Sequence, residues 1–160
     1  MRGGGTEWSL IWDATFESSE RDFNFGDQEE MGFGARVATP LTEKNGGVIL
    51  NSVGKRTARA TCGQSAAWCD YSGLLGDTPV GITLMASPDN FRKSWWHNRN
   101  YGVFVANPFG RAAMKQGKKS TVSVAEGKSF RVVFGASIHE SKKNVLEQNY
   151  QRFVDELRRE

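Results

Sequence analysis

The sequence points to an all-β protein, mainly antiparallel, built as a β-sandwich with one C-terminal helix. Three observations carry that expectation. From Trp8 to Glu17 apolar and polar residues alternate at period two, as in a strand with one buried face. Short apolar runs bounded by Gly, Pro and Asn then recur as far as His139, and 18 glycines suit turns and strands better than a helical bundle. Beyond His139 the apolar spacing lengthens to three and four, the period of a helix.

Taken in order, residues 1–6 form a flexible lead-in, because three consecutive glycines lose much entropy on ordering. Residues 7–160 form a single β-sandwich domain, since the length suits one core of ordinary size. Trp8, Leu10, Trp12, Ala14 and Phe16 share one strand face, which needs partners on both edges or a sheet opposite it. An edge left open there would favour homo-oligomers through sheet edges. Residues 32–38 are small and apolar apart from Arg36. That cation is either an edge residue or buried and in need of a carboxylate, with Asp27, Glu29 and Asp70 as candidates. Asn45-Gly46-Gly47 marks a turn before a strand at 48–51, and residues 52–65 read as a polar surface loop.

In the strand at 66–73, Trp68, Asp70 and Ser72 fall on one face, Cys69 and Tyr71 on the other. Residues 80–86 are apolar on both faces and therefore central. Ser87-Pro88 breaks that strand, and a loop delivers Trp95 to Tyr101. A buried strand at 103–106 ends at Asn107-Pro108, where proline removes a ladder donor. Strands at 121–124 and 130–139 are joined by Glu126-Gly127. Val145, Leu146, Asn149, Tyr150, Phe153, Val154 and Leu157 then define a helix over 142–158, capped by Ser141.

Composition excludes several classes. The net charge of +3 comes from scattered lysines and arginines rather than a basic stripe, so no nucleic-acid partner is expected. No run approaches the ~20 apolar residues of a membrane span, and the first residues lack the apolar core of a signal peptide, so the chain is expected to be soluble. Cys62 and Cys69 lack zinc-knuckle spacing and read as reduced thiols, a disulfide staying open for an exported chain. No H-x-H, H-E-x-x-H or G-x-S-x-G element is present, so neither a metal nor another cofactor is expected, nor a serine hydrolase.

The chemistry concentrates between Ser94 and Gly110. His97 exchanges protons near neutrality and stands beside Arg99, which suits general acid or base work; the plainer role is a hydrogen-bonded histidine in an aromatic loop. Trp95, Trp96 and Tyr101 offer either core or faces on which a sugar ring stacks, with Asn107 and Arg99 to orient hydroxyls. Asp70, between aromatic neighbours, is either a carboxyl of raised pKa or, more simply, the ion-pair partner of Arg36 or Arg99. His139, at a strand end, reads as a cap for the helix that follows.

Phe25-Gly26-Asp27, the run from Gly34 to Leu41, Ala67-Trp68-Cys69-Asp70-Tyr71-Ser72-Gly73 and above all Trp96-His97-Asn98-Arg99-Asn100-Tyr101-Gly102 with Asn107-Pro108-Phe109-Gly110 resemble the DUF6807 family, often labelled PmoA-like. The resemblance runs from about Trp8 to the final helix. It implies a fold like part of the galactose-mutarotase supersandwich, and a carbohydrate-related role, since such proteins occur in bacteria rich in carbohydrate-degrading genes. It also implies that this chain corresponds to the C-terminal part of a longer domain. Where the family has a histidine before the loop proline, this chain has Ser87.

Two functions follow as expectations. One is a saccharide-active protein with His97, Arg99 and Asp70 as catalytic groups and Trp95, Trp96, Tyr101, Asn107 and Arg36 lining the ligand. The other is a non-catalytic sugar-binding or interaction module, in which the same residues form a polar network that fixes a loop.

Overall fold

The computed structural model describes residues 7–140 and 145–159. Its strands are β1 (Trp8–Glu17), β2 (Phe23–Phe25), β3 (Phe33–Arg36), β4 (Val48–Asn51), β5 (Trp68–Leu75), β6 (Thr78–Ala86), β7 (Trp95–Asn98), β8 (Val103–Asn107), β9 (Val122–Val124) and β10 (Ser129–Glu140). A single turn of helix, α1 (Ala58–Thr61), and a terminal helix, α2 (Leu146–Leu157), complete the described elements. All strand pairs are antiparallel, in a five-stranded sheet of order β1-β10-β6-β5-β4, a three-stranded sheet β3-β8-β7 and the pair β2-β9.

The five-stranded sheet buries both faces, and the register shows how. Residues directly opposite one another share a face. Trp12, Phe134 and Ala86 lie in one such row, with Leu84 and Cys69 in the next and Tyr71 and Ile49 beyond. This side packs on Trp96, Phe104 and Ala106 of the three-stranded sheet. The rings of Trp12, Phe33 and Phe134 stack across the layers. The opposite side presents Trp68, Met85 and Val133 to Leu146, Phe153 and Val154 of α2. Gly135 lies there for want of space: a Cβ would sit 2.8 Å from the Phe153 ring.

Several expectations hold and some change. β6 is central, Asp70 and Tyr71 point to opposite faces, and Arg36 is an exposed edge residue. The stretch 52–65, read as a loop, contains α1 and backbone that pairs with strands: Thr57 N–H donates to Ile49 O and Gly63 N–H to Trp96 O. Its polar composition hid that Ala58 and Thr61 are buried. Residues 95–98, also read as loop, are strand β7. β9 and β10 do not pair with each other, because β9 joins β2 while β10 lies between β1 and β6. The helix begins at Leu146, with Val145 at its N-cap; Ser141 and the lead-in 1–6 lie outside the described residues.

Between the sheet and α2 lies a buried polar cluster. His139 Nε2 is 2.8 Å from Asp70 Oδ1 and 3.1 Å from Thr83 Oγ1, and Thr83 donates to the same carboxylate at 2.8 Å. His139 therefore sits within the sheet, not as a helix cap. Asp70 meets neither Arg36 nor Arg99, because the alternation of β5 turns it to the α2 side. Burial alone would pull the His139 pKa down, but the hydrogen bond and charge of Asp70 hold it above the ordinary histidine value. A histidine raised in the folded state stabilises fully below its unfolded pKa of ~6.5, and that stabilisation disappears as pH rises through the folded pKa. Denaturant unfolding of His139→Gln should therefore show a loss of about 3–5 kcal/mol in mildly acidic buffer. The gap from wild type should narrow toward alkaline pH; a gap that widens would contradict the charged pair.

Candidate functional site

The alternation of β7 decides what its residues can do. Trp96 and Asn98 turn into the core: the fully buried Trp96 donates its indole N–H to Ala66 O at 3.0 Å. Asn98 donates to Thr61 Oγ1 at 2.7 Å and to Cys69 Sγ at 3.3 Å. Trp95 and His97 therefore face outward, and the register continues that outer surface across the sheet. His97 lies opposite Val105 and Gly34, and Trp95 opposite Asn107. Arg99 accepts no strand assignment but donates its N–H to Val103 O at 2.8 Å, and Val103 pairs on its other side with Arg36.

The loop before β3 folds over this surface, and Asn107 holds it there. The buried Asn107 amide donates to the carbonyls of Gln28 at 2.7 Å and Glu29 at 2.9 Å, while its Oδ1 accepts from the N–H groups of Phe109 and Gly110. Gly110 is required because any Cβ would run into the Gln28 carbonyl oxygen. The Asn-Pro-Phe-Gly run thus positions the backbone of Gln28 and Glu29.

The result is a histidine enclosed by carboxylates. His97 is 1% exposed, and neither ring nitrogen has a hydrogen-bond partner among the described residues. Nδ1 lies 3.8 Å from Glu29 Oε2, and Nε2 lies 3.6 Å from Glu30 Oε1. Both distances are too long for a hydrogen bond. Glu29 also accepts from Arg99 Nη2 at 2.9 Å, and Arg99 Nη1 approaches Cys62 Sγ at 3.3 Å. Burial and the Arg99 charge pull the His97 pKa below the ordinary value, against the opposing pull of Glu29 and Glu30. The imidazole is therefore neutral at pH 7, with one nitrogen able to accept a proton and one able to donate.

Of the residues singled out from sequence, Trp95, His97, Arg99, Arg36 and Asn107 share this outer face. Tyr101 joins them at the turn, its ring 5.8 Å from the Arg36 guanidinium carbon. The Arg92 guanidinium packs 5.5 Å from the Trp95 ring. Trp96 and Asp70 do not belong here, the first being core and the second lying on the far side of the five-stranded sheet. Glu29 was visible in the sequence only as a candidate partner for Arg36, Glu30 was not singled out, and no local pattern ties either to His97. Cys62 and Cys69 are free thiols, and burial pushes the Cys69 thiol up, so it is an inert core group. Among the described residues no group of three or more His, Cys, Asp or Glu is placed to hold a metal, and no helix is long and apolar enough to cross a membrane.

A family model described as a family of unknown function, DUF6807, matches residues 1–151. No curated protein and no solved structure matches the chain.

Histidine titration by NMR checks the electrostatics of the site. The His97 midpoint should lie below the ordinary histidine range, move up in Arg99→Met, which removes the repelling charge, and move down in Glu29→Gln. Asn107→Ala should destabilise the fold by about 1–3 kcal/mol in denaturant unfolding, through the buried partners it leaves unpaired.

Proposed function

The chain belongs to the DUF6807 family, and on that footing we propose that it is a carbohydrate-related protein that acts on a saccharide by proton transfer through His97. The observation that carries this reading is the buried imidazole with two unpartnered nitrogens, each facing a carboxylate across a gap of 3.6–3.8 Å. A buried polar group without a partner is costly, so such an arrangement suits an external donor and acceptor. Both nitrogens are closed to solvent, so a ligand hydroxyl reaches His97 Nε2 and Glu30 Oε1 once the exposed Glu30 side chain swings aside, donating to one and accepting from the other when that partner is protonated. A second hydroxyl does the same between Nδ1 and Glu29.

In this scheme neutral His97 takes a proton from the ligand, Arg99 stabilises the negative charge that develops, and Glu29 keeps the guanidinium in place. Glu30, which is largely exposed, exchanges protons with solvent, and the ligand anion is reprotonated by His97 to close the cycle. Trp95 supplies the one aromatic face adjoining the histidine on this strand, with Arg36 and Tyr101 at the rim. The exposure of both carboxylates favours a second reading, a sugar-binding module in which the same groups hold hydroxyls without turnover.

His97→Gln preserves a hydrogen-bonding amide and removes proton transfer. On a saccharide turned over by the wild type, kcat should fall about 10²–10⁴-fold with little change in KM. The wild-type rate should decline as pH falls through the lowered His97 pKa, because protonation removes the base. Turnover unaffected by the substitution would refute the enzymatic reading. Calorimetric binding of the same saccharides without turnover would support the module.

A further inference from the structure

We infer that the saccharide taken by the His97 face is an acidic one, its carboxylate held by Arg92 and Arg111 beside Trp95. The inference rests on the saccharide reading of that face and names the class of sugar. Between Asp89 and Glu126 the chain carries no carboxylate, while Arg92, Lys93, Arg99, Arg111 and the lysines of the loop at 115–119 all fall there. Arg99 is neutralised by Glu29 at 2.9 Å. Among the described residues neither Arg92 nor Arg111 makes an ion pair.

The two cations are built into one place. Arg92 Nη1 donates to Pro108 O at 3.2 Å and to Ser120 Oγ at 3.4 Å, both neutral acceptors. Its guanidinium carbon lies 5.3 Å from the Phe91 ring centre and 5.5 Å from that of Trp95. These contacts fix the group through one nitrogen and leave the edge formed by Nε and Nη2 without a protein partner, open to solvent. Arg111 follows directly on the Asn-Pro-Phe-Gly run. Its N–H returns to Phe109 O, the carbonyl to which Ser120 Oγ also donates. Its stem crosses Gly117, where a Cβ would stand 3.2 Å from Arg111 Cδ, and its guanidinium has no hydrogen-bond partner among the described residues.

Burial and the Arg111 charge pull the Arg92 pKa below the ordinary arginine value, against the opposing pull of Asp27. Asp27 does not relieve the repulsion by contact, because its oxygens accept the N–H groups of Ala112, Ala113 and Ser120 at 2.7–3.0 Å. Two guanidiniums held together with donors unused are completed by an anion. A planar carboxylate takes two parallel bonds from the free edge of Arg92, and Arg111 adds charge. Along β8 the register places Trp95 at Asn107, His97 at Val105 and Arg36 at Val103, so the anion sits at one end of the face with the histidine at its middle. Glu29 and Glu30 over that middle repel a ligand charged along its whole length, such as a nucleic acid, but not a sugar with a carboxylate at the Trp95 end.

Calorimetry with galacturonate and glucuronate oligosaccharides, and with their neutral galactose and glucose counterparts, tests this, with the Arg92 Nε–H resonance as a second readout. The uronates should bind about 10–100-fold more tightly than the neutral sugars and should shift that resonance. Arg111→Gln, which removes no hydrogen bond of the fold, should erase most of the preference. Arg92→Lys, which keeps the charge but loses the two-pronged edge, should do so as well. Equal affinity for acidic and neutral saccharides, or a preference indifferent to both substitutions, would overturn the proposal and leave the saccharide reading of His97 standing. Single-stranded DNA bound in place of the uronates, through the same two arginines, would also overturn it. Failure of every saccharide to bind would remove both readings.

Discussion

A five-stranded sheet that carries apolar residues on both faces must be covered twice, and this requirement organises the chain. β10 is the pivot, because it pairs with β1 on one edge and β6 on the other and sends Phe134 to one layer and Val133 to the other. One cover is the sheet of β3, β8 and β7; the other is α2. Because the three-stranded layer spends its inner face on the core, through Trp96, Phe104 and Ala106, its outer face is free for polar chemistry. A single reversal of side chains along β7, from Trp96 to His97, marks the passage from packing to site.

The two histidines show how burial yields opposite electrostatics. His139 is buried against a carboxylate at hydrogen-bond distance, and its charge is favoured. His97 is buried beside an arginine, with carboxylates held beyond hydrogen-bond reach, and its neutral form is favoured. The first arrangement joins strands β5 and β10 beneath α2. The second leaves lone pair and proton unused. What separates them is the fixed backbone of Gln28 and Glu29, which Asn107 holds at one place over β7 and β8.

Much of the fold was legible because it is local. The alternation of Trp8 to Glu17, the doubly apolar run of β6 and the three-four spacing of α2 each announce one element. β7 was not legible: its four residues are aromatic and polar on both faces, so alternation leaves no hydropathy signal, although it decides everything about Trp96 and His97. The candidate site was legible in part, since Trp95, His97, Arg99, Arg36 and Tyr101 lie close in sequence or in a shared motif. The pairing of Asp70 with His139 and the placement of Glu29 and Glu30 depend on strand order and on a loop anchor, neither of which a spacing encodes.

The claim on which the functional reading stands is that His97 and its carboxylates receive an external group rather than seal an internal network. The most direct measurement is a titration of the His97 side-chain nitrogen resonances with neutral and acidic saccharides. A saturable shift at His97, accompanied by the Trp95 indole and absent from His139, is the predicted result. Resonances at His97 that stay fixed across the saccharides, with the Trp95 indole equally unmoved, would contradict it.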